Sequence, residues 1–316
     1  MTAAQPASQR PATPHPYPPI VENRSSAGIQ SPLRVVAFNA KGGVHLDGIL
    51  ACFKREPLRS ASVILISEAD FGTSRSGGLR VAHEMGARLG MSCGYVKEFG
   101  LRPADGGEIR AFLGNAILSR VPLEDVFAIS IPVQSRRNPL PGSLKRYRRE
   151  GKPVALVATI EVGGKPLRVC VAHFDSRAAP AGRELQMTTL LHDFPPNGPA
   201  IIGGDLNTTT LELGDPEVMR RVGREMILHS RRFRSPMAYE PLFERLADAQ
   251  FEVRDANLDG RPTFTFSRLV PPWLRPRLDW IALRGCRPVP GSAAVIPARL
   301  GEGLPRRRHR PATIVP

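Results

Sequence analysis

The chain has 316 residues, of which 41% are hydrophobic and 23% are charged. This composition is typical of a soluble globular protein that is long enough to bury a sizeable core. No apolar run approaches the roughly 18 residues that a membrane-spanning helix needs. We therefore expect no transmembrane segment in this sequence.

Lysine and arginine together number 44 against 29 aspartates and glutamates, which gives a formal net charge of +15. The basic residues are partly clustered, at 136–137, 145–149, 220–234 and 306–310. A basic surface favours phosphate-rich partners, either nucleic acid or anionic lipid headgroups. The alternative is a set of solvated arginine-rich faces, and it stays open because few aromatic residues interleave with the basic runs.

Residues 1–31 are rich in proline, alanine and serine and show no periodic pattern, which predicts a disordered tail before one folded domain at 32–316. The first residues lack the apolar segment of a secretory signal. The four cysteines lie far apart in the sequence, which disfavours a zinc site and indicates reduced thiols. We therefore expect a cytoplasmic protein.

In chain order, the first structured region alternates strands with helices. Residues 34–38 predict a strand that leads into Asn39 and a Gly-Gly turn, and residues 45–55 predict a short helix. An apolar strand at 63–66 is followed by Glu68, and residues 79–89 predict another helix. Strands that each end in a polar residue indicate an α/β sheet with a site at one edge.

The rest of the chain continues with strands and helices. Residues 107–120 predict two strands or one bent strand with Asn115 in the middle, and residues 132–153 predict a basic loop broken by prolines. A β-hairpin is predicted to turn at Gly163-Gly164, and its second arm ends at His173. The remaining predicted elements are helices at 182–191, 216–234 and 240–249, a strand beginning near Asp279 and a short strand after His309.

The stretch PAIIGGDLNTTT, at 199–210, is the centre of the chain's chemistry. Its apolar run predicts a buried strand that ends at two glycines, which let the backbone turn or approach a ligand closely. In an extended segment Asp205 and Asn207 point to the same face, where a carboxylate and an amide can orient a water, a metal or a phosphate. A strand followed by an Asx turn is the structural alternative.

The polar residues at the strand ends suit phosphoester chemistry. Glu68 and Asn39 offer the hard oxygen ligands that magnesium prefers, and magnesium polarises a phosphoryl oxygen. Asp205 and Asn207 can hold the attacking water. His173 can donate to the charged oxygens of the transition state. Each of these residues is more often structural when it stands alone, and it is their occurrence at several strand ends that favours a shared site.

Several short segments of the sequence, in their order along the chain, resemble the endonuclease/exonuclease/phosphatase superfamily of magnesium-dependent phosphoester hydrolases. The segments that carry the resemblance are VVAFNA, LISEAD, GNAILSR, VAHFDSR, GGDLNT, RLDWI and HRP. The resemblance implies a four-layer α/β sandwich, in which two mainly antiparallel mixed sheets pack face to face and helices flank them, with the site on one edge.

The resemblance also implies roles for single residues. Glu68 is expected to be the main ligand of Mg²⁺, with Mn²⁺ as the alternative ion, and Asn39 assists it. Asp205 is expected to orient or activate the nucleophilic water, and Asp279 with His309 to form an acid/base pair. His173 and Asn207 are expected to bind the scissile phosphate as part of the catalytic set. The further substrate-binding candidates are Asn39, Lys41, Asn115 and Arg308.

Two positions depart from the family pattern. Arg307-Arg308 precede His309 where the family usually has Ser-Asp, and Lys41 stands where some members carry an acid. Both changes remove negative charge from the site. They would weaken magnesium binding, or they would let a cation hold phosphate where other members use a metal. A catalytically weakened relative that binds nucleic acid or phospholipid is therefore an alternative to an active hydrolase.

The substrate stays open between two classes. The net charge and the basic 136–149 loop favour a nuclease, whereas GNAILSR and the His173-Phe174 pair resemble the sphingomyelinase branch and favour a lipid-headgroup phosphodiesterase. The expected partner is in either case a phosphoester substrate, and we expect the protein to act as a monomer.

Overall fold

Two β-sheets pack face to face, and helices cover their outer surfaces. The computed structural model describes residues 15–25, 28–29, 31–103, 105–133, 147–265, 270–297, 308–309 and 312–315. In these ranges the strands are β1 Ile20–Glu22, β2 Val35–Asn39, β3 Val63–Phe71, β4 Ser92–Pro103, β5 Phe112–Ser119, β6 Glu124–Ser130, β7 Tyr147–Gly151, β8 Val154–Val162, β9 Lys165–His173, β10 Ala200–Asp205, β11 Phe264–Thr265, β12 Asp279–Arg284, β13 Arg308–His309 and β14 Ala312–Val315. The helices are α1 Leu46–Phe53, α2 Val81–Leu89, α3 Pro180–Asp193, α4 Pro216–Leu228, α5 Ser230–Arg234 and α6 Leu242–Asp248.

The first sheet has the order β1-β4-β5-β3-β2-β14, and β7 pairs with the end of β4. The second sheet has the order β12-β10-β9-β8-β6, and β11 and β13 form a separate ribbon. Both large sheets are mixed, because β2–β3 and β9–β10 are parallel whereas the other pairs are antiparallel. This is the expected four-layer arrangement.

Three hydrophobic clusters hold the layers together. The cluster between the sheets contains Leu65 from β3 and Ile201 from β10. A second cluster joins the first sheet to α1 and α2, and a third joins the second sheet to α3 and α6. Strands such as β5 and β10 are buried along their whole length. This burial on both faces explains why their sequences are mostly apolar and do not alternate between apolar and polar residues.

The prediction of a disordered tail is wrong for residues 15–25 and 28–29. β1 pairs antiparallel with β4, with Ile20 opposite Tyr95. The buried His15 ring bonds to the Lys97 carbonyl oxygen through Nε2, and Tyr17 packs edge-to-face on Phe112. The outer strand of a sheet exposes unpaired backbone N–H and C=O groups. Even a proline-rich segment such as this one can pair with these groups over a few residues. Whether 32–316 is one catalytic domain stays a prediction.

Most of the other predicted elements are present with shifted bounds. Within 107–120 there is one strand, β5, which starts only at Phe112. The helix predicted at 216–234 breaks at His229 into α4 and α5. The basic stretch 132–153 is not a loop throughout, since β7 extends the first sheet, while residues 134–146 lie outside the described ranges. No helix in the described ranges is long and apolar enough to cross a membrane.

Candidate active site

The polar ends of several strands meet at one edge of the sandwich. In the second sheet, Asp205 on β10 lies opposite His173 on β9 and opposite Asp279 on β12. In the first sheet, Asn39 lies opposite Ser67, the residue before Glu68. The two sheets are joined here, because Asn39 Nδ2 donates to Asp205 Oδ2 at 2.9 Å and the Asp205 N–H donates to Ser67 Oγ at 3.3 Å. The tertiary fold thus brings the predicted site residues of both sheets together.

The two glycines before Asp205 serve packing within the sandwich. A Cβ on Gly203 would lie 2.7 Å from Leu65 Cδ1 of the facing sheet. A Cβ on Gly204 would lie 2.1 Å from the Ala172 carbonyl oxygen, and its φ of +134° disfavours any other residue. The close approach predicted for these glycines is therefore made to neighbouring strands. It brings β10 close enough to β9 to set Asp205 beside His173.

The expectation that Asp205 and Asn207 extend from one face of a strand is wrong. Asn207 has a φ of +49°, and its N–H donates to Asp205 Oδ1 at 3.0 Å, so the chain turns directly after β10. Asn207 Nδ2 donates to the Phe174 carbonyl oxygen at 2.8 Å. An Asx-type turn is favoured because the short Asp205 side chain reaches the backbone N–H two residues on. Each Asp205 carboxylate oxygen therefore accepts from one donor in the described part of the chain, which fixes the orientation of the carboxylate.

Glu68 lies on a bulge of β3. The pairing of β3 with β5 shifts register between Ile66 and Ala69, and Glu68 has a φ of +55°. A bulge redirects a side chain that a regular strand would point elsewhere. Here the half-buried carboxylate comes within 3.7 Å of His173 Nε2. The bulge thus links Glu68 of the first sheet with His173 of the second.

His173 forms a buried pair with Glu98, a residue that the sequence analysis did not identify. His173 Nδ1 lies 3.0 Å from Glu98 Oε2, and both side chains are almost fully buried. Burial alone would lower the pKa of His173, but the Glu98 carboxylate, with smaller contributions from Glu68 and Asp205, raises it to about 10. Burial raises the pKa of Glu98, and the charge of His173 opposes this rise. We conclude that His173 is a cation near neutral pH.

Asp279 is fully buried at the start of β12, and neither of its carboxylate oxygens has a hydrogen-bond partner among the described residues. Burial raises the pKa of Asp279 well above its usual range, and the negative charge of Asp205 raises this pKa further. Thr263 Oγ accepts from the Asp279 N–H at 3.0 Å. The following residue, Phe264, lies opposite the backbone of His309 in the β11–β13 ribbon. The topology therefore brings the main chain of His309 towards Asp279, while the side chains of Arg308 and His309 lie outside the described part.

Cationic side chains also lie at this edge. Lys41 has a φ of +50°, and its N–H donates to Asn39 Oδ1 at 2.8 Å. Arg75 forms a bidentate ion pair with the buried Asp70, at 2.7 and 2.6 Å. The pKa of Arg75 is raised chiefly by its bond to Asp70 and to a smaller extent by Glu68. Arg75 is a second residue that the sequence analysis did not identify, because the pattern of apolar residues does not show that the turn after β3 brings it back to Asp70.

Asn115 is buried in β5, and its Nδ2 donates to the Val154 carbonyl oxygen at 2.8 Å. Its Oδ1 has no hydrogen-bond partner among the described residues. Asn115 lies between Gly114 and Ala116, which pair with residues on either side of the Glu68 bulge. A role for Asn115 or Lys41 in binding substrate stays a prediction.

The oxygen atoms at this edge of the sandwich suit magnesium better than a metal that needs several side chains as ligands. Within the described ranges, no group of three or more His, Cys, Asp or Glu side chains is arranged to hold a metal ion. Magnesium needs fewer protein ligands, because it keeps several waters and binds substrate phosphate. Glu68 offers a half-buried carboxylate, and Asn39 Oδ1 retains a lone pair beyond the one that accepts from Lys41. Glu68 and Asn39 therefore fit a magnesium ion.

A sequence model described as the Endonuclease/Exonuclease/phosphatase family matches residues 36–302 of this chain. The fold is similar to that of a member of this family from Leptotrichia buccalis, with a TM-score of 0.56 at 13% identity over 89% of this chain and 99% of that one. It is also similar to an AP endonuclease from Archaeoglobus fulgidus (TM-score 0.52, 16% identity, 90% and 98% of the two chains) and to sphingomyelinase C from Streptomyces griseocarneus (0.50, 15%, 90% and 98%). None of the curated proteins matches this sequence.

Proposed function

The chain belongs to the endonuclease/exonuclease/phosphatase family, and on this premise we propose that it hydrolyses a phosphodiester by in-line attack of water. Enzymes of this family act on phosphoesters and are typically dependent on divalent metals. The observation that carries the proposal is the convergence of Asp205, His173 and Glu68 at one edge, with Asn39 bonded to Asp205 across the two sheets. Such a set supplies a base, a cation and a hard metal ligand within one site.

Asp205 is the residue that we assign to the attacking water. Its two oxygens accept from Asn39 Nδ2 and from the Asn207 N–H, which hold the carboxylate in one orientation. Each oxygen keeps a lone pair that can accept a proton from a water. A carboxylate held in this way can orient the water for attack and take up its proton.

His173 is the residue that we assign to the phosphoryl oxygens. As a cation it carries a proton on both ring nitrogens, one for Glu98 and one on Nε2. The Nε2–H is then free to donate to an oxygen on which negative charge develops in the transition state. Glu98 keeps the imidazolium charged and fixes the plane of the ring, so we assign it a positioning role.

Glu68, with Asn39, would hold the magnesium ion. When bound, the ion supplies a positive charge that polarises the phosphoryl group and stabilises negative charge on the oxygens. Lys41 stands where some members of the family carry an acid, and Arg308 where the family usually has an aspartate, so two carboxylates that could share a second ion are missing. We therefore propose a single ion rather than a pair.

Asp279 and His309 complete the proposed mechanism as the acid/base pair. A buried carboxylate without a donor is costly, and an imidazolium beside it would remove that cost. His309 would then donate a proton to the leaving oxygen. Arg308, next to His309 in the chain, is proposed to bind a substrate phosphate.

A weakened enzyme that binds phosphate-rich partners is the second candidate. The observation that favours it is the replacement of acids by Lys41 and Arg308, since both changes reduce the negative charge that attracts a divalent cation.

A panel of DNA, RNA, sphingomyelin, inositol phosphates and a chromogenic diester, each with and without Mg²⁺, tests the proposal. We expect metal-dependent hydrolysis of at least one diester and loss of that activity in Glu68→Gln. Glu108→Gln, which alters an exposed carboxylate paired with Arg110, is the control and should keep full activity. If no diester is hydrolysed while DNA or phospholipid is bound, the second candidate replaces the first.

A further inference from the structure

Helix α4 is an amphipathic helix whose residues are all described and none of which is buried. Val218, Val222 and Met226 recur at intervals of four and share one face of the helix, where they are half-buried. At the C-terminal end, Ile227 and Leu228 are each 59% exposed. An amphipathic helix normally buries its apolar face against the core. Val218, Val222 and Met226 follow this rule in part, because they are half-buried, whereas Ile227 and Leu228 are exposed and are available to contact a partner of the protein.

The apolar residues of α4 are accompanied by arginines. Residues 216–234, which cover α4 and α5, contain six arginines and two glutamates. Arg220 and Arg224 lie on the side of α4 opposite Val222, which is also the side of Ile227, and both are exposed, as is Arg221. Their long side chains can reach anionic groups beside the exposed Ile227. This surface therefore combines exposed apolar groups with net positive charge.

Exposed aromatic rings flank the same helices. The turn Pro272–Leu274 packs beside α5, and its Trp273 is 46% exposed. Tyr239, which is also exposed, lies under the guanidinium of Arg232 on α5. Tryptophan and tyrosine are enriched at membrane–water interfaces, because their rings are apolar at one end and polar at the other.

We propose that α4, α5 and the Pro272–Leu274 turn, together called the α4–α5 surface, dock the protein on an anionic lipid bilayer. Met219, which is 40% exposed, enters the boundary between headgroups and acyl chains together with Ile227, Leu228 and Trp273, and the arginines contact lipid phosphates. Apolar burial together with attraction to anionic lipid is the combination that binds interfacial helices. This docking does not depend on the hydrolytic activity proposed above.

The α4–α5 surface adjoins the candidate active site. The Arg277 N–H, two residues before Asp279, donates to the Phe233 carbonyl oxygen of α5 at 3.0 Å. Arg232 Nη2 donates to the carbonyl oxygen of Thr210, three residues after Asn207, at 2.6 Å. Docking through α4 and α5 would therefore bring the strand ends that carry Asp205 and Asp279 close to the lipid surface.

A bilayer accounts for these features better than nucleic acid or a second copy of the chain. Nucleic acid would use the arginines but would leave the exposed aliphatic residues Ile227 and Leu228 in water. A second copy would cover those residues but would bring the arginines of both copies together, which is unfavourable. An anionic bilayer satisfies both sets of side chains at once.

The test is binding of the full chain to vesicles in the absence of divalent metal, so that an inactive enzyme would give the same result. We expect co-sedimentation with vesicles of phosphatidylcholine plus phosphatidylglycerol, weakened by salt, and little with phosphatidylcholine alone. The protein has two tryptophans, and Trp280 is buried, so a blue shift of fluorescence on binding reports on Trp273. The shift should be absent in Trp273→Phe.

Two pairs of variants separate the proposal from a general effect of charge or hydrophobicity. Ile227→Asp should weaken binding about tenfold or more, whereas Val289→Asp, at another exposed aliphatic residue, should not. The double variant Arg220→Glu/Arg224→Glu should weaken vesicle binding by a similar factor. The control is the double variant Arg55→Glu/Arg59→Glu, which makes the same change of charge at exposed residues elsewhere and should have a much smaller effect.

Three results would overturn the proposal. The first is anionic vesicle binding that Ile227→Asp leaves unchanged. The second is absence of vesicle binding together with DNA binding that requires Arg220 and Arg224. The third is a dimer in solution that Ile227→Asp dissociates.

Discussion

Glu98 Oε2 lies 3.0 Å from His173 Nδ1, and this buried contact joins β4 of the first sheet to β9 of the second. Both residues are at irregular or terminal positions, since β4 shifts register between Lys97 and Phe99 and β9 ends at His173. The contact therefore depends on how the two sheets pack against each other. It also determines the charge of an imidazole that faces Glu68 in the candidate site.

Glu98→Gln should lower kcat by about 10²–10⁴-fold near neutral pH. The variant loses the carboxylate that contributes most to raising the pKa of His173 to about 10, and burial, which lowers that pKa, is then opposed only by Glu68 and Asp205. In the wild-type protein the charged form persists until the pH rises through about 10, so activity that needs it is lost only in strongly alkaline solution. In Glu98→Gln the loss should occur at much lower pH.

The measurement is a pH–rate profile for both proteins, with the His173 ring resonances followed by NMR. Glu161→Gln, at an exposed residue of β8, is the control and should keep the wild-type profile. An unchanged alkaline limit in Glu98→Gln would show that Glu98 does not set the charge of His173.

Magnesium should bind at one site. Titration calorimetry of the metal-free protein should show a single event, because Lys41 and Arg308 stand in place of two carboxylates that could share a second ion. Glu68→Gln should abolish this event, and Glu108→Gln should preserve it. Two stoichiometric ions in the wild-type protein would contradict the single-ion proposal.

His309→Ala should lower kcat by about 10²–10⁴-fold with little change in stability, because it removes the proposed general acid. Asp279→Asn should also lower kcat, since it removes the charge that orients the His309 ring. Steady-state kinetics with a hydrolysed diester and circular dichroism as a folding control provide the measurement. A fully active His309→Ala protein would refute the acid/base assignment.

Arg308→Asp distinguishes two roles for the arginine beside His309. If Arg308 binds a substrate phosphate, as we propose, the reversal of charge should raise the Michaelis constant. If it only replaces a dispensable metal ligand, the new carboxylate should tighten magnesium binding and leave the rate unchanged or higher. Kinetics at several magnesium concentrations separate the two.

Removing residues 1–30 should lower the melting temperature by several degrees. The truncation deletes β1 with its pairing to β4, and it deletes the contacts of His15 and Tyr17. An edge-to-face aromatic contact alone contributes about 0.5–1.5 kcal/mol, and about 1 kcal/mol corresponds to a few degrees in a protein of this size. Removing only residues 1–14 keeps all of these contacts and should leave the melting temperature unchanged. Equal stability of the two truncated proteins would show that the β1 contacts are negligible.

Gly204→Ala should destabilise the protein by about 2–4 kcal/mol, because a methyl group would collide with the Ala172 carbonyl and the backbone would be strained. Gly223→Ala is the matched control, since nothing lies within 4 Å of its added Cβ. In helix α4 this change should stabilise by up to about 1 kcal/mol. Urea unfolding of both variants provides the comparison, and a neutral Gly204→Ala would contradict the close approach of β10 to β9.

The sequence by itself determined the family, the alternation of strands and helices, and the residues at the strand ends. Asn39, His173, Asp205 and Asp279 could be identified because each lies at one end of an apolar run, and that pattern is local to a few residues. Strand ends of one sheet meet at one edge, so the pattern also predicted that these residues share a site.

Only the tertiary structure decided which side chains touch. Glu98 and Arg75 were missed because their partners His173 and Asp70 depend on a contact between sheets and on a turn, and apolar periodicity encodes neither. Asn207 turns away from an extended strand because the Asp205 side chain captures its N–H. β1 forms because β4 offers unpaired backbone groups to a segment whose own composition does not predict a strand. The local pattern of apolar and polar residues determines the type of each secondary-structure element. The pairing of strands and the charge contacts between side chains are determined only when the sheets pack.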